Sequence, residues 1–183
     1  MVISIYWLFI IPVEKSKKLC SYRKVDLQGM KHIVIETERL CISPKSISEI
    51  QSLCRNESDP EMKKAYLEML NTMLNLNGRE EWGSEWGINL KAGLTVGGIC
   101  FKGAPNAEGA VEIGYGIDEA YQRKGYATEA VRGIVNWALE QEGVQCVTAQ
   151  TESNNTISQK VLLKNGFFRD RYGEEGPLYK VEK

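Results

Sequence analysis

The sequence predicts a mixed α/β (α+β) fold: a twisted central sheet of about six to seven strands flanked by about four helices. Three observations predict it. Short extended runs alternate with amphipathic stretches from Ile35 to the C-terminus. A strand–helix–strand–helix series between Ala110 and Asn165 calls for a right-handed crossover, which puts a parallel pair of strands at the centre of the sheet. The composition, 43% hydrophobic and 26% charged over 183 residues, is that of a chain that buries one ordinary core.

The elements follow in order. His32 to Ile42 holds I-V-I and R-L-C-I with a break at Thr37-Glu38, and reads as a first strand that ends at Pro44. Ile47, Ile50, Leu53 and Cys54 line one side of a short helix over Ser46–Arg55. Ser58-Asp59-Pro60-Glu61 starts a second helix, with a capping side chain, proline in the first turn and an acid at the positive dipole end. Met62, Ala65, Tyr66, Met69, Leu70, Met73 and Leu74 recur at helical spacing as its core face until Asn77-Gly78. Trp86–Leu90 and Leu94–Lys102 are two strands joined by a tight turn at Lys91-Ala92-Gly93. After the loop Gly103–Asn106, Ala110–Asp118 is the next strand. Ala127–Gln141 is a helix with Ala127, Ala130, Val131, Ile134, Trp137 and Ala138 on one face. Gln145–Thr151 is a strand, Thr156–Asn165 a helix stopped by Gly166, and Phe167–Lys180 two short strands around Gly173–Gly176.

The first residues stand apart. Val2 to Val13 is almost wholly apolar and is followed by Lys15, Lys17 and Lys18. The run is shorter than the roughly 20 residues of a spanning helix, so no stable membrane insertion is expected. It also lacks the basic start and small-residue cleavage site of a signal peptide. Residues 1–29 are therefore an N-terminal extension, and residues 30–183 a single domain. Three origins of the extension stay open: translation that begins at Met30, an appended strand, or a membrane-peripheral segment.

Charge and composition narrow the chemistry. Lys+Arg 23 against Asp+Glu 24 leaves a net charge of −1, so no global field draws the chain to nucleic acid or to an anionic membrane. With His32 as the one histidine, histidine triads and histidine metal clusters are excluded, and no metal is expected. Cys20, Cys41, Cys54, Cys100 and Cys146 are odd in number and show no C-x-x-C, so they read as thiols of a cytoplasmic protein.

The chemistry-bearing stretch is V-E-I-G-Y-G-I-D-E-A-Y-Q-R-K-G-Y-A-T, Val111 to Thr128. A strand ends at Ile117, and Gln122-Arg123-Lys124-Gly125-Tyr126-Ala127 opens the long helix in the pattern Q/R-x-x-G-x-G/A. Such a loop presents main-chain N–H groups at a helix N-terminus, where unpaired donors and dipole favour a phosphate or pyrophosphate. Gly125 and Ala127 are small enough for close approach, and Arg123 and Lys124 add positive charge. Taken alone, the pattern also fits a glycine that merely makes a turn between two solvated cations.

Further on come Asn154-Asn155-Thr156-Ile157-Ser158 and Lys164-Asn165-Gly166-Phe167. With these the chain resembles the GNAT superfamily of acetyl-CoA-dependent N-acetyltransferases, from about Ile35 to the C-terminus. The motifs that carry it are E-I-G-Y-G-I-D, Q-R-K-G-Y-A-T-E-A and the spaced N-x-x-S…N-G-F. The opening I-E-T-E-R-L, Ile35–Leu40, is similar to the first strand of the ribosomal-protein N-terminal acetyltransferase (RimJ/RimL-like) branch.

The resemblance implies the rest. The strand Val111–Ile117 is to splay from Gln145–Thr151, with the pantetheine of acetyl-CoA in the gap near the main chain of Ile117. Gln122, Arg123, Lys124, Gly125, Tyr126 and Ala127 are to hold the pyrophosphate, helped by Thr128. Asn155 is to tie the cofactor arm to the second strand, a place where asparagine also suits a helix N-cap. Glu112 is the candidate base that deprotonates the amine, or a solvated strand carboxylate. The family's tyrosine acid in the following helix is replaced by Leu162, so Ser158 becomes the candidate acid, with Tyr115 and Tyr172 in reserve.

The implied reaction moves acetyl from acetyl-CoA to a primary amine, a protein N-terminus or a small molecule, by direct attack in a ternary complex. Glu57, Asp59, Glu80, Glu81 and Glu85 are candidates for an acidic acceptor mouth, and Trp82 and Trp86 either line it or pack. A catalytically weak CoA-binding module is the alternative, given Leu162. A dinucleotide-binding module ranks below both, because the loop lacks G-x-G-x-x-G spacing. A homodimer is left open.

Overall fold

A computed structural model describes residues 33–183, so the expectations for residues 1–29, for Met30 and for His32 lie outside the described residues. The strands are β1 (Ile35–Glu36), β2 (Leu40–Pro44), β3 (Glu85–Leu90), β4 (Thr95–Phe101), β5 (Ala110–Ile117), β6 (Cys146–Gln150), β7 (Phe168–Tyr172) and β8 (Pro177–Glu182). The helices are α1 (Ile47–Asn56), α2 (Pro60–Asn75), α3 (Tyr126–Glu140) and α4 (Thr156–Lys164). The strands form one sheet in the order β1-β2-β3-β4-β5-β6-β8-β7, and among its pairs β5–β6 is the parallel one, at the centre.

The sheet has eight strands among the described residues, against the six to seven expected. The difference lies at Thr37. Its hydroxyl accepts from Leu40 N at 3.1 Å, and its own N–H donates to Leu40 O at 2.9 Å. The chain therefore reverses there, and Ile35 pairs antiparallel with Ile42. What read as one interrupted strand is a short hairpin.

Local chemistry places the helices. Ser46 and Glu49 form a reciprocal capping box at the start of α1. Asp59 accepts from Glu61 N and Met62 N ahead of Pro60. In α3, Ala130, Val131, Ile134 and Ala138 are fully buried, the stripe the sequence predicts. They share one core with Ile99 and Phe101 of β4 and with Val111 and Ile113 of β5. Trp82 and Trp86 belong to this core. Trp82 lies 4.6 Å from Phe101 and Trp86 4.8 Å from Trp137, centroid to centroid. The tryptophans pack, and do not line an acceptor mouth.

A second, smaller core lies between α1 and α2, where Ile50, Cys54, Tyr66 and Met73 are buried. The methionine stripe is thus mostly core. Leu74, expected on it, is 54% exposed. One residue beyond Met73 is about 100° around the helix, and that rotation carries Leu74 into solvent.

The feature that positions the site is the limited contact of β5 with β6. They pair at Ala110–Cys146, Val111–Val147 and Glu112–Thr148, and no further. Beyond this point each strand keeps its outer neighbour: Ile117 still pairs with Gly97 of β4, and Gln150 with Leu178 of β8. The two central strands part while remaining in register with their own half of the sheet.

Candidate active site

The gap between β5 and β6 opens toward the N-termini of α3 and α4. On its β5 side the chain passes Ile117, a single helical turn at Glu119–Tyr121, and then the loop into α3. Gln122 folds back so that its Nε2 donates to Ile117 O at 2.9 Å. Lys124 Nζ donates to Ala120 O at 3.1 Å. Arg123 and Gly125 both have positive φ, 59° and 83°. Such a left-handed geometry suits Gly125 and is uncommon for arginine.

Gly125 caps α3 without a side-chain cap bond. The first main-chain bond into the helix runs from Glu129 N to Gly125 O at 3.1 Å. By helix geometry, the N–H groups of Tyr126, Ala127 and Thr128 then have no partner within it. A diphosphate fits this arrangement: unpaired donors and a dipole meet it, and small residues at 125 and 127 leave space.

Sequence reasoning passed over one cation here. Arg39, in the turn between β1 and β2, reaches the loop from across the fold. Its Nε lies 2.6 Å from Glu129 Oε2, its Nη1 donates to Lys124 O at 3.0 Å, and its guanidinium lies 4.8 Å from the centroid of Tyr126. Glu129 also accepts from Thr37 Oγ1 at 2.6 Å and from Arg39 N at 2.7 Å. Burial alone would raise the Glu129 carboxyl; these donors and the guanidinium outweigh it and hold the group below its ordinary value. A local sequence window carried no signal for this contact, because 90 residues separate the partners.

Across the gap, Asn155 caps α4, its Oδ1 accepting from Ser158 N at 3.0 Å. Ser158 Oγ lies 2.8 Å from the Tyr115 hydroxyl, and the same phenol donates to Ser158 O at 3.2 Å. The structure thus joins two acid candidates, one from each side of the gap. Burial pushes the Tyr115 phenol up to about 12, so it stays protonated as a donor. Tyr172, the other reserve, is 66% exposed on the outermost strand β7. Leu162 is fully buried in the main core.

Glu112 stands at the last paired position of β5 and β6. Its Oε1 lies 2.6 Å from Lys102 Nζ, and Glu175 approaches the same ammonium at 3.7 Å. Burial, the largest single influence, would lower the Lys102 ammonium, but Glu112 and the neighbouring Glu175 and Cys100 together outweigh it and raise the group. Glu112 is therefore an ion-paired carboxylate rather than a solvated one.

Side chains alternate across a strand, so Cys100 and Gly114 share the Glu112 face of the sheet, and Glu85 of β3 is the direct cross-strand partner of Cys100 on β4. Glu85 Oε2 pairs with Lys45 Nζ at 2.9 Å, largely shielded from solvent. A Cβ on Gly98 would stand within van der Waals overlap of this carboxylate, so the glycine makes room for it. Burial, then Glu85, then Glu57 lift the Tyr66 phenol to about 12. Burial and then Glu85 raise Asp118 as well. Cys100 rises to about 12 through burial first and Glu85 second.

Of the five candidate acids of the acceptor mouth, three are bonded to nearby main chain, while Glu85 and Glu57 both bear on Tyr66. Glu57 accepts from Ser58 N and Asp59 N, Asp59 caps α2, and Glu80 accepts from Gly78 N. Of the five, Glu85 lies over the sheet. Among the described residues no group of three or more His, Cys, Asp or Glu is placed to hold a metal, and no helix is long and apolar enough to cross a membrane.

Known proteins supply the comparison. The acetyltransferase (GNAT) domain profile matches residues 38–168. The chain is 42% identical over 80 residues to the uncharacterized N-acetyltransferase YjdG of Bacillus subtilis (strain 168), a match spanning 44% of this chain and 48% of that one. It is 28% identical over 162 residues to the uncharacterized N-acetyltransferase p20 of Bacillus licheniformis, spanning 79% of this chain and 90% of the relative. The fold is shared with RimL, a ribosomal L7/L12 alpha-N-protein acetyltransferase solved in complex with coenzyme A. The TM-score is 0.64 at 14% identity, covering 82% of this chain and 98% of that one. Motif order, the parted central strands and the matched profile agree: the chain belongs to the GNAT acetyltransferase domain family, a family of acetyl-transferring enzymes.

Proposed function

We propose that residues 30–183 form one domain that transfers acetyl from acetyl-CoA to a primary amine, by direct attack with both substrates bound. The observation that carries this reading is the parting of β5 from β6 after Glu112–Thr148, beside a helix N-terminus with unpaired donors. The gap suits an extended pantetheine arm that hydrogen-bonds to strand main chain near Ile117. The unpaired main-chain donors at the start of α3, Tyr126 to Thr128, suit its diphosphate, with the loop from Gln122 to Gly125 shaping the approach and Arg123 and Lys124 supplying charge. Asn155 stands at the mouth of the gap, already engaged as a cap.

Acetyl-CoA, when bound, supplies an activated acetyl thioester. The residues of the chain manage two protons. A neutral amine must attack, and amines carry pKa values of about 8 for an α-amine and about 10.4 for lysine. Glu112 takes the proton lost by the amine as the C–N bond forms, directly or through one water. The C–S bond breaks with its electron pair on sulfur, and Ser158 Oγ gives that sulfur a proton. Tyr115, a protonated phenol 2.8 Å away, can replace the proton on Ser158, and exchange with solvent then restores the phenol as Glu112 gives up the proton it took. The products are an amide and free CoA thiol, and the balance closes without redox chemistry.

The acceptor is a protein N-terminus or a small-molecule amine. The fold shared with RimL supports the first as far as fold alone can. The free thiols at Cys54, Cys100 and Cys146 suit a reducing, cytoplasmic setting. Thiol release from acetyl-CoA over a panel of amines and N-terminal peptides tests the reading. Release with at least one acceptor supports transfer. CoA binding without release for every acceptor would favour the catalytically weak CoA-binding module.

A further inference from the structure

Glu129 is an anomaly for an anion site. It places a carboxylate in the first turn of α3, the turn whose donors are to face a diphosphate. A lone negative charge there would oppose the ligand directly. It is not alone: Arg39 is bound to it through both Nε and its main-chain N–H, at 2.6 and 2.7 Å. The same guanidinium also holds Lys124 O and covers Tyr126. Its Nη2 lies 3.3 Å from where a Cβ on Gly125 would stand. The guanidinium is thus fixed at three points of the loop and helix, Glu129, Lys124 O and the Tyr126 ring, with its side chain 44% exposed.

We infer that Arg39 is a positioning residue of the cofactor site: held at the loop by Glu129, Lys124 O and the Tyr126 ring, it cancels the Glu129 charge beside the diphosphate. The inference rests on the proposed function and deepens it. Glu129 anchors the β1–β2 turn through Thr37 and the Arg39 main chain, and Arg39 returns from that turn to the loop. The two ends of the chain segment thereby hold each other. Arginine suits the task because its planar fork serves a carboxylate and a carbonyl at once, which a lysine point charge does not.

The test is calorimetric titration of CoA into the full chain carrying Arg39→Gln, Glu129→Gln, or both. Arg39→Gln exposes the carboxylate, and CoA affinity falls about tenfold, the scale of one charge-assisted contact. Glu129→Gln removes the charge and keeps an acceptor for Thr37 and Arg39, so its affinity stays within about threefold of the parent, below one such contact. The double variant recovers most of the Arg39→Gln loss. A purely structural arginine gives no recovery, since the second substitution restores no packing. Unchanged affinity in Arg39→Gln, or a double variant as weak as Arg39→Gln, overturns the inference. If Arg39→Gln does not fold, the double variant is compared with Glu129→Gln: similar affinities support the inference, and a tenfold gap overturns it. Absence of CoA binding by the parent chain would instead remove the proposed function itself.

Discussion

The Tyr115 hydroxyl and Ser158 Oγ stand 2.8 Å apart, one on β5 and the other on α4, across the gap that opens after Glu112. Along the chain 43 residues and a crossover separate them. Leu162, where the resemblance implies a tyrosine acid, is sealed in the core. The phenol that stands beside Ser158 is instead Tyr115, on β5.

Ser158→Ala should lower kcat about 100-fold, the low end for a general acid, with KM for acetyl-CoA little changed. Tyr115→Phe should cost about tenfold, because Ser158 keeps its own proton and loses only the group that replenishes and orients it. Steady-state kinetics of the two variants and their double check this. Additive losses would separate the residues; a double variant no worse than Ser158→Ala makes them one relay.

Glu112→Gln should lower kcat about 100-fold near neutral pH, with the loss shrinking as the pH rises and the acceptor deprotonates itself. A pH-rate profile with a saturating small amine reads this directly. A loss that does not change with pH would assign Glu112 to holding Lys102 alone.

Glu129 is held below its ordinary value of 4.5 by its donors and by Arg39. The sign follows: a depressed carboxylate contributes stability above its unfolded value, which is lost as the pH falls through the folded one. The parent should therefore lose stability below about pH 4.5 that Glu129→Gln does not lose. Urea melts of both proteins between pH 7 and 3 measure the difference, and parallel curves would count against the ion pair.

Trp86→Ala should destabilise the domain by about 3–5 kcal/mol, the cost of a large cavity in a closed core. Trp86 is fully buried against Trp137 and Phe101, and its Nε1 donates to Glu81 O at 2.9 Å. Chemical denaturation monitored at more than one wavelength checks it. An effect below 1 kcal/mol would mean that the tryptophan lines a solvent-filled cleft after all.

The legible parts of the chain were those where neighbours in sequence are also neighbours in space. The stripe Ala130, Val131, Ile134, Ala138 announces its helix, and Asp59 ahead of Pro60 announces another. The Q-R-K-G-Y-A loop is legible as the turn into α3 because a left-handed glycine ahead of a helix is a local property. The hairpin at Thr37 stayed hidden because a two-residue strand leaves no alternation to read. Arg39, Lys102 and the ion pair of Glu85 with Lys45 stayed hidden for another reason. Each acquires its role from a partner on a different element, and one charged residue in a window of solvated charges looks like any other. Of the five acids grouped by sequence, three turned out to cap nearby main chain, which is the ordinary use of such residues at helix ends.

The central claim is that the main-chain donors at 126–128 bind the diphosphate of acetyl-CoA. Gly125→Glu tests it most directly. A side chain at φ 83°, with its carboxylate at the helix N-terminus, adds both strain and charge at that point and leaves the buried stripe of α3 untouched. Calorimetric titration of CoA into the parent and this variant, with far-UV circular dichroism to verify the fold, is the measurement. The account predicts saturable binding by the parent and at least a 100-fold loss in a folded variant, on the order of 2.7 kcal/mol. Equal affinity in the two folded proteins would contradict it.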